Sequence, residues 1–115
     1  MEHAELLQPL SISIYSEERF RFNPRIIHIL KWHNVKFLRI KIQSTGDGWR
    51  LWFIPSETRH PYSRKLALWR SGRVLDYRNV VRWLRQNGEK RTRIPFIWDS
   101  NTKEGYIEVQ KKDGN

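Results

Sequence analysis

The sequence predicts an α+β fold, mostly β, in which two strand-helix-hairpin repeats related by a pseudo-twofold axis share one barrel-like sheet. Three observations point there. Short segments alternate apolar and polar residues with the two-residue period of strands. Glycine, proline, asparagine and aspartate fall between these segments, where turns need them. Sliding the chain by 54 residues pairs like with like: Ile12 with Leu66, Ile14 with Leu68, Arg19 with Arg73, Ile26 with Val80, Ile27 with Val81 and Leu30 with Leu84.

Taken in order, residues 1–10 read as a short helical or frayed lead-in ended by Pro9. Residues 11–15 alternate as a strand, 16–18 bend, and 19–22 form a second strand. Asn23-Pro24 supplies an N-cap and a first-turn proline, so a helix runs to about Trp32, burying Ile26, Ile27, Ile29 and Leu30. A strand over 35–43 places Leu38, Ile40 and Ile42 on one face. Residues 44–48 form a hairpin loop with two glycines available for positive φ, and 49–54 return until Pro55 ends the strand.

The polar stretch 56–64 is the linker, and the order then begins again. Residues 65–70 are a strand, 71–72 a turn, 93–98 a strand, 99–105 a hairpin loop and 106–111 the return strand. The chain therefore reads as one domain spanning 1–115, with repeats over 11–55 and 65–112. A unit of roughly 45 residues is too small to bury a core of its own, so the two should interleave.

Residues 72–88 carry the clearest functional pattern. Asp76 is the expected N-cap of a helix that stops at Gly88, with Tyr77, Val80, Val81 and Leu84 on the core side. Arg78, Arg82 and Arg85 fall in one stripe on the other side, a mutually repulsive row that solvent or phosphate would relieve. The stripe corresponds to Pro24, His28 and Lys31 of the first helix. The rival reading is structural: several of these arginines pair with Glu17, Glu18 or Asp76.

Charge supports a polyanionic partner. The chain of 115 residues carries 22 Lys plus Arg against 12 Asp plus Glu, a formal +10, with more of the excess beyond His60. Six Trp, five Phe and four Tyr argue against disorder. The absence of cysteine excludes disulfides, thiolate zinc sites and a cysteine nucleophile. No apolar run is long enough to span a membrane and the first residues do not resemble a signal peptide, so a soluble, cytoplasmic protein is expected.

Gly72-Arg73-Val74-Leu75 with the basic Arg82, and Arg19, Pro24 and the Ile26-Ile27-Leu30 helix followed by a hairpin, resemble the swapped-hairpin β-barrel of AbrB-type transition-state regulators and the related antitoxins. Glu18 stands where that family has glycine, Arg78 where it has proline, and the spacing from Arg19 to Pro24 is one residue longer. Family members reach the barrel by dimerising; here both halves would lie in one chain, acting as monomer or homodimer. The resemblance implies duplex DNA binding through Arg19, Arg21 and Arg25 of the first half and Arg73, Arg78, Arg82 and Arg85 of the second.

Trp52 and Trp83 point away from the expected apolar sides and are candidates for an exposed stacking platform or protein contact, while Trp49, Trp69 and Trp98 read as core or barrel cover. His3, His28, His33 and His60 lack metal-ligand spacing, and no carboxylate pair or nucleophile motif stands out, so no catalytic residue, metal or cofactor is expected. The expected function is thus a DNA-binding regulator or antitoxin. The alternatives are a protein-interaction module, such as a phage or mobile-element inhibitor with a basic face, and an RNA-binding protein.

Overall fold

Alternation in Ser11-Ile12-Ser13-Ile14 does what a two-residue period requires: both isoleucines are buried and both serines lie on the outer face. In the computed structural model, which describes residues 9–70 and 72–111, this segment is β1 (Leu10–Tyr15). It is followed by β2 (Arg19–Phe22), α1 (Pro24–Ile29), β3 (Phe37–Ser44), β4 (Gly48–Ser56), β5 (Arg64–Trp69), β6 (Gly72–Asp76), α2 (Arg78–Gln86), β7 (Arg93–Asp99) and β8 (Glu104–Gln110). The strands form a closed antiparallel barrel in the order β1-β2-β6-β5-β3-β4-β8-β7. Most of the expected lead-in lies outside the described residues, as do Ser71 and the chain beyond Lys111.

Aromatic rings fill the interior. Phe22 on β2 contacts Trp32, Phe53 and Phe96 at centroid distances of 5.4, 5.6 and 6.1 Å, and Phe20 meets Phe53 at 5.3 Å. These rings are almost wholly buried and come from segments far apart in the chain. Gly105 makes room for them, since a Cβ there would lie 2.1 Å from the tip of the Phe96 ring. The closure is uneven at one seam. β5 pairs with β3 only at Phe37↔Lys65 and Leu38↔Arg64, so residues 39–44 of β3 pair with β4 alone.

Both helices end the same way. After α1 the N–H of Trp32 donates to the Ile27 carbonyl at 2.9 Å and that of Lys31 to His28 at 3.3 Å, with Lys31 left-handed at φ 59. After α2 the N–H of Glu89 donates to Leu84 at 2.9 Å and that of Gly88 to Arg85 at 3.1 Å, with Gly88 at φ 91. These are Schellman stops. Asn23 caps α1 as expected, its Oδ1 accepting from the Ile26 N–H at 2.9 Å.

Several expectations need correction. Asp76 does not cap α2: it is the last residue of β6, paired with Arg19, and the N-cap is Tyr77, which has no side-chain bond. The cross-strand bond from the Tyr77 N–H to the Glu18 carbonyl, 2.9 Å, prolongs the strand and delays the helix. α1 stops at Ile29 rather than Trp32, and Ile29 is exposed while Trp32 turns into the core. Ile42 is exposed too, in the stretch of β3 that pairs with β4 but not with β5.

Pro55 does not end β4. It pairs with Leu38, and its missing N–H is harmless because the β4 ladder to β8 stops at Phe53. β8 begins at Glu104, which brings Gly105 inside the sheet. Positive φ is adopted by Gly72 and Gly88, not by the hairpin glycines Gly46 and Gly48.

A methyl group at Gly105 must displace a buried ring, whereas one at Gly46 meets nothing within 4 Å. Gly105→Ala is therefore expected to lower the unfolding free energy by ~2 kcal/mol, with Gly46→Ala close to wild type, in paired urea titrations. Equal midpoints for the two variants would contradict this packing.

Candidate nucleic-acid interface

The stripe expected on α2 exists, but its three arginines do different things. Arg85 is half-buried and fully engaged. Its Nε and Nη2 donate to the two Glu17 carboxylate oxygens at 2.6 and 2.9 Å, and Nη1 donates to the carbonyls of Glu89 and Arg91 at 2.7 and 3.0 Å. The hydrogen bond from Arg85 holds the Glu17 carboxyl below the usual carboxylate range, and the same bond pushes the Arg85 guanidinium up. Arg85 fastens α2 to the β1–β2 turn.

Arg78 and Arg82 are exposed. Arg78 lies 3.3 Å from one Glu18 oxygen, and Arg19 lies 3.8 Å from the other, so one carboxylate sits between two cations. Pairs this accessible to solvent contribute little to stability and are readily exchanged for another anion. Arg64 places its guanidinium over the Tyr77 ring at 4.3 Å, and Arg64, Lys65, Arg78, Asn79 and Asp76 line an open groove of about 420 Å³. The cationic face is therefore wider than the helix. Arg64 carried no periodic signal, because it ends a polar stretch with a proline inside it.

The remaining candidates divide as well. Arg19 and Arg21 lie half-buried on the outer side of β2, and Arg25 is exposed in the first turn of α1. Arg73 donates to the carbonyls of Val35 and His33 at 3.1 and 3.2 Å, holding the turn that enters β3. No family model matches the chain, and comparison with curated proteins and with solved structures found no match.

Neither tryptophan singled out by the sequence is an open platform. Trp83 is half-buried against Trp49, with centroids 5.2 Å apart. Trp52 donates its Nε1–H to Gln43 at 2.8 Å and packs on Tyr106 at 4.6 Å. Trp69, expected as barrel cover, is instead 39% exposed. Among the described residues no group of three or more His, Asp or Glu could hold a metal ion, and no helix is long and apolar enough to cross a membrane.

One buried carboxylate was not anticipated. Glu89, 7% exposed, receives the backbone N–H and the Nε of Arg91 at 2.9 Å and its Nη2 at 2.7 Å. Burial works to raise the Glu89 pKa, but these bonds and the Arg91 charge outweigh it and leave the carboxyl below its usual 4.5. A carboxyl with a depressed folded pKa adds stability that is complete above its unfolded value and is lost as pH falls through the folded one.

Wild-type stability should accordingly fall over the pH window that opens below the usual carboxylate value of 4.5, as the depressed carboxyl takes up its proton. Glu89→Gln should be less stable by ~1–3 kcal/mol at neutral pH and depend less on pH across that window, measured by urea unfolding at each pH. Parallel pH curves for the two proteins would remove Glu89 from this role.

Proposed function

We propose that the chain binds duplex DNA through the face built by Arg64, Lys65, Arg78 and Arg82, flanked by Arg19, Arg21 and Arg25, and acts as a transcriptional regulator or antitoxin. The observation that carries the reading is the grouping of exposed cations around the first turns of α2. Guanidinium forks suit phosphate and guanine edges alike, and their charge persists at any cellular pH. Occupancy of the duplex is the whole mechanism, without cofactor or chemistry.

The proposal extends to the architecture: a tandem swapped-hairpin barrel of the kind the AbrB resemblance implies. Exchanging β1–β4 with β5–β8 leaves every neighbour in the barrel order unchanged, which supports two equivalent halves. The β2–β6 ladder adds to this, because its pairs Arg19↔Asp76 and Phe22↔Arg73 exchange under the same 54-residue shift. Such an arrangement gives one chain two related but unequal faces, suited to an asymmetric target.

The test is fluorescence anisotropy with labelled duplex, single-stranded DNA and RNA over a salt series. Wild type should bind duplex at micromolar concentration or tighter, with a log–log salt slope steeper than about −3. Arg78→Ala combined with Arg82→Ala should weaken binding at least about tenfold and make the slope shallower by about 2. Arg85→Ala should instead lower the melting temperature. Tighter binding to RNA would redirect the reading to RNA, and no binding at low salt would overturn it in favour of a protein partner.

A further inference from the structure

Beside the cationic face, and sharing Arg21 with it, the outer face of β1 carries a groove of about 390 Å³ lined by Ser13, Tyr15, Arg21, Trp69, Thr92 and Arg93. Strand register builds it. Ser13 pairs with Arg93 on β7 and with Arg21 on β2, so two guanidiniums flank one hydroxyl in a single cross-strand row. Neighbours in such a row are about 5 Å apart, placing the two arginine Cα atoms roughly 10 Å from one another.

Aromatic rings form its other side. Tyr15 and Trp69 are 47% and 39% exposed, and their rings stand nearly perpendicular at 84° with centroids 5.9 Å apart. The Arg19 guanidinium lies 5.5 Å from the Trp69 ring centroid. Large apolar surface grouped in this way on an outer sheet face is a feature of binding sites. The groove is continuous with the α2 face: Arg19, at Trp69, shares Glu18 with Arg78.

Two guanidiniums and a hydroxyl suit a phosphate, and an exposed ring beside them suits a base. A duplex keeps its bases stacked on one another and has none to offer Trp69. We propose that this groove binds one unpaired nucleotide of the nucleic acid held by the α2 face, its phosphate between Arg21 and Arg93 and its base against Trp69 and Tyr15. The inference rests on the nucleic-acid reading above and narrows the target to duplex with an adjoining single strand.

Anisotropy with a blunt duplex and the same duplex bearing a short single-stranded thymidine overhang at either end separates the two levels. Wild type should bind one of the overhung probes about tenfold more tightly than the blunt one. Trp69→Ala and, independently, Arg93→Ala should bring that probe back to the blunt value, leaving blunt-duplex affinity and melting temperature as in wild type. Trp69→Phe, which keeps a ring, should retain most of the preference. Equal wild-type affinity for all probes overturns the groove proposal and leaves the duplex reading standing. Weakening of blunt and overhung binding alike in Trp69→Ala also overturns it. Failure of wild type to bind any probe overturns the duplex reading and the groove with it.

Discussion

Rings packed on rings inside a closed sheet are the constraint from which the remainder of this molecule follows. Phe22, Phe53 and Phe96 come from β2, β4 and β7, and Trp32 from the turn after α1, so the contacts that exclude water join both halves of the chain. Neither half contains enough of these rings to bury its own apolar face. Because the inward positions are set by this packing, the two-residue period decides which arginines of β2 and β7 must point outward. The charge on the surface is thus placed by the hydrocarbon within.

A second dependency runs through the β1–β2 turn. Ser16 and Glu17 adopt left-handed φ values of 56 and 54, the geometry that a tight hairpin needs and that side chains other than glycine resist. The turn is held from outside, by Arg85 on the Glu17 carboxylate and by the Tyr77 N–H on the Glu18 carbonyl. Strain of this kind persists where the surroundings over-determine it. The same contacts tie the β1–β2 turn, which adjoins the aromatic groove, to α2.

Most element positions were legible because they depend on short-range periodicity and on turn chemistry, as at Asn23-Pro24 and Gly88. What failed depended on distant partners. Asp76 is a good N-cap locally, yet the pairing of β6 with β2 claims it for the strand. Lys31 gave no signal of a left-handed stop, since lysine has no preference for one, and Trp32 is drawn inward by rings contributed much later in the chain. The arginine stripe was visible at helical spacing, but the contacts of Arg85 with Glu17 and of Arg73 with His33 and Val35 span 68, 40 and 38 residues. Arg93 became a candidate only through its register with Ser13, which no local pattern encodes.

The short seam between β3 and β5 bears on how this protein tolerates crowding. Along residues 39–44 one side of β3 presents backbone donors and acceptors to solvent, a template onto which another extended chain could add. Exposed Ile42 would make such addition adhesive. Arg39 and Lys41 alternate with the isoleucines there, and an antiparallel copy centred on Lys41 would set two ammonium groups directly opposite each other. The hairpin thus repels its own twin while remaining open to an acidic strand.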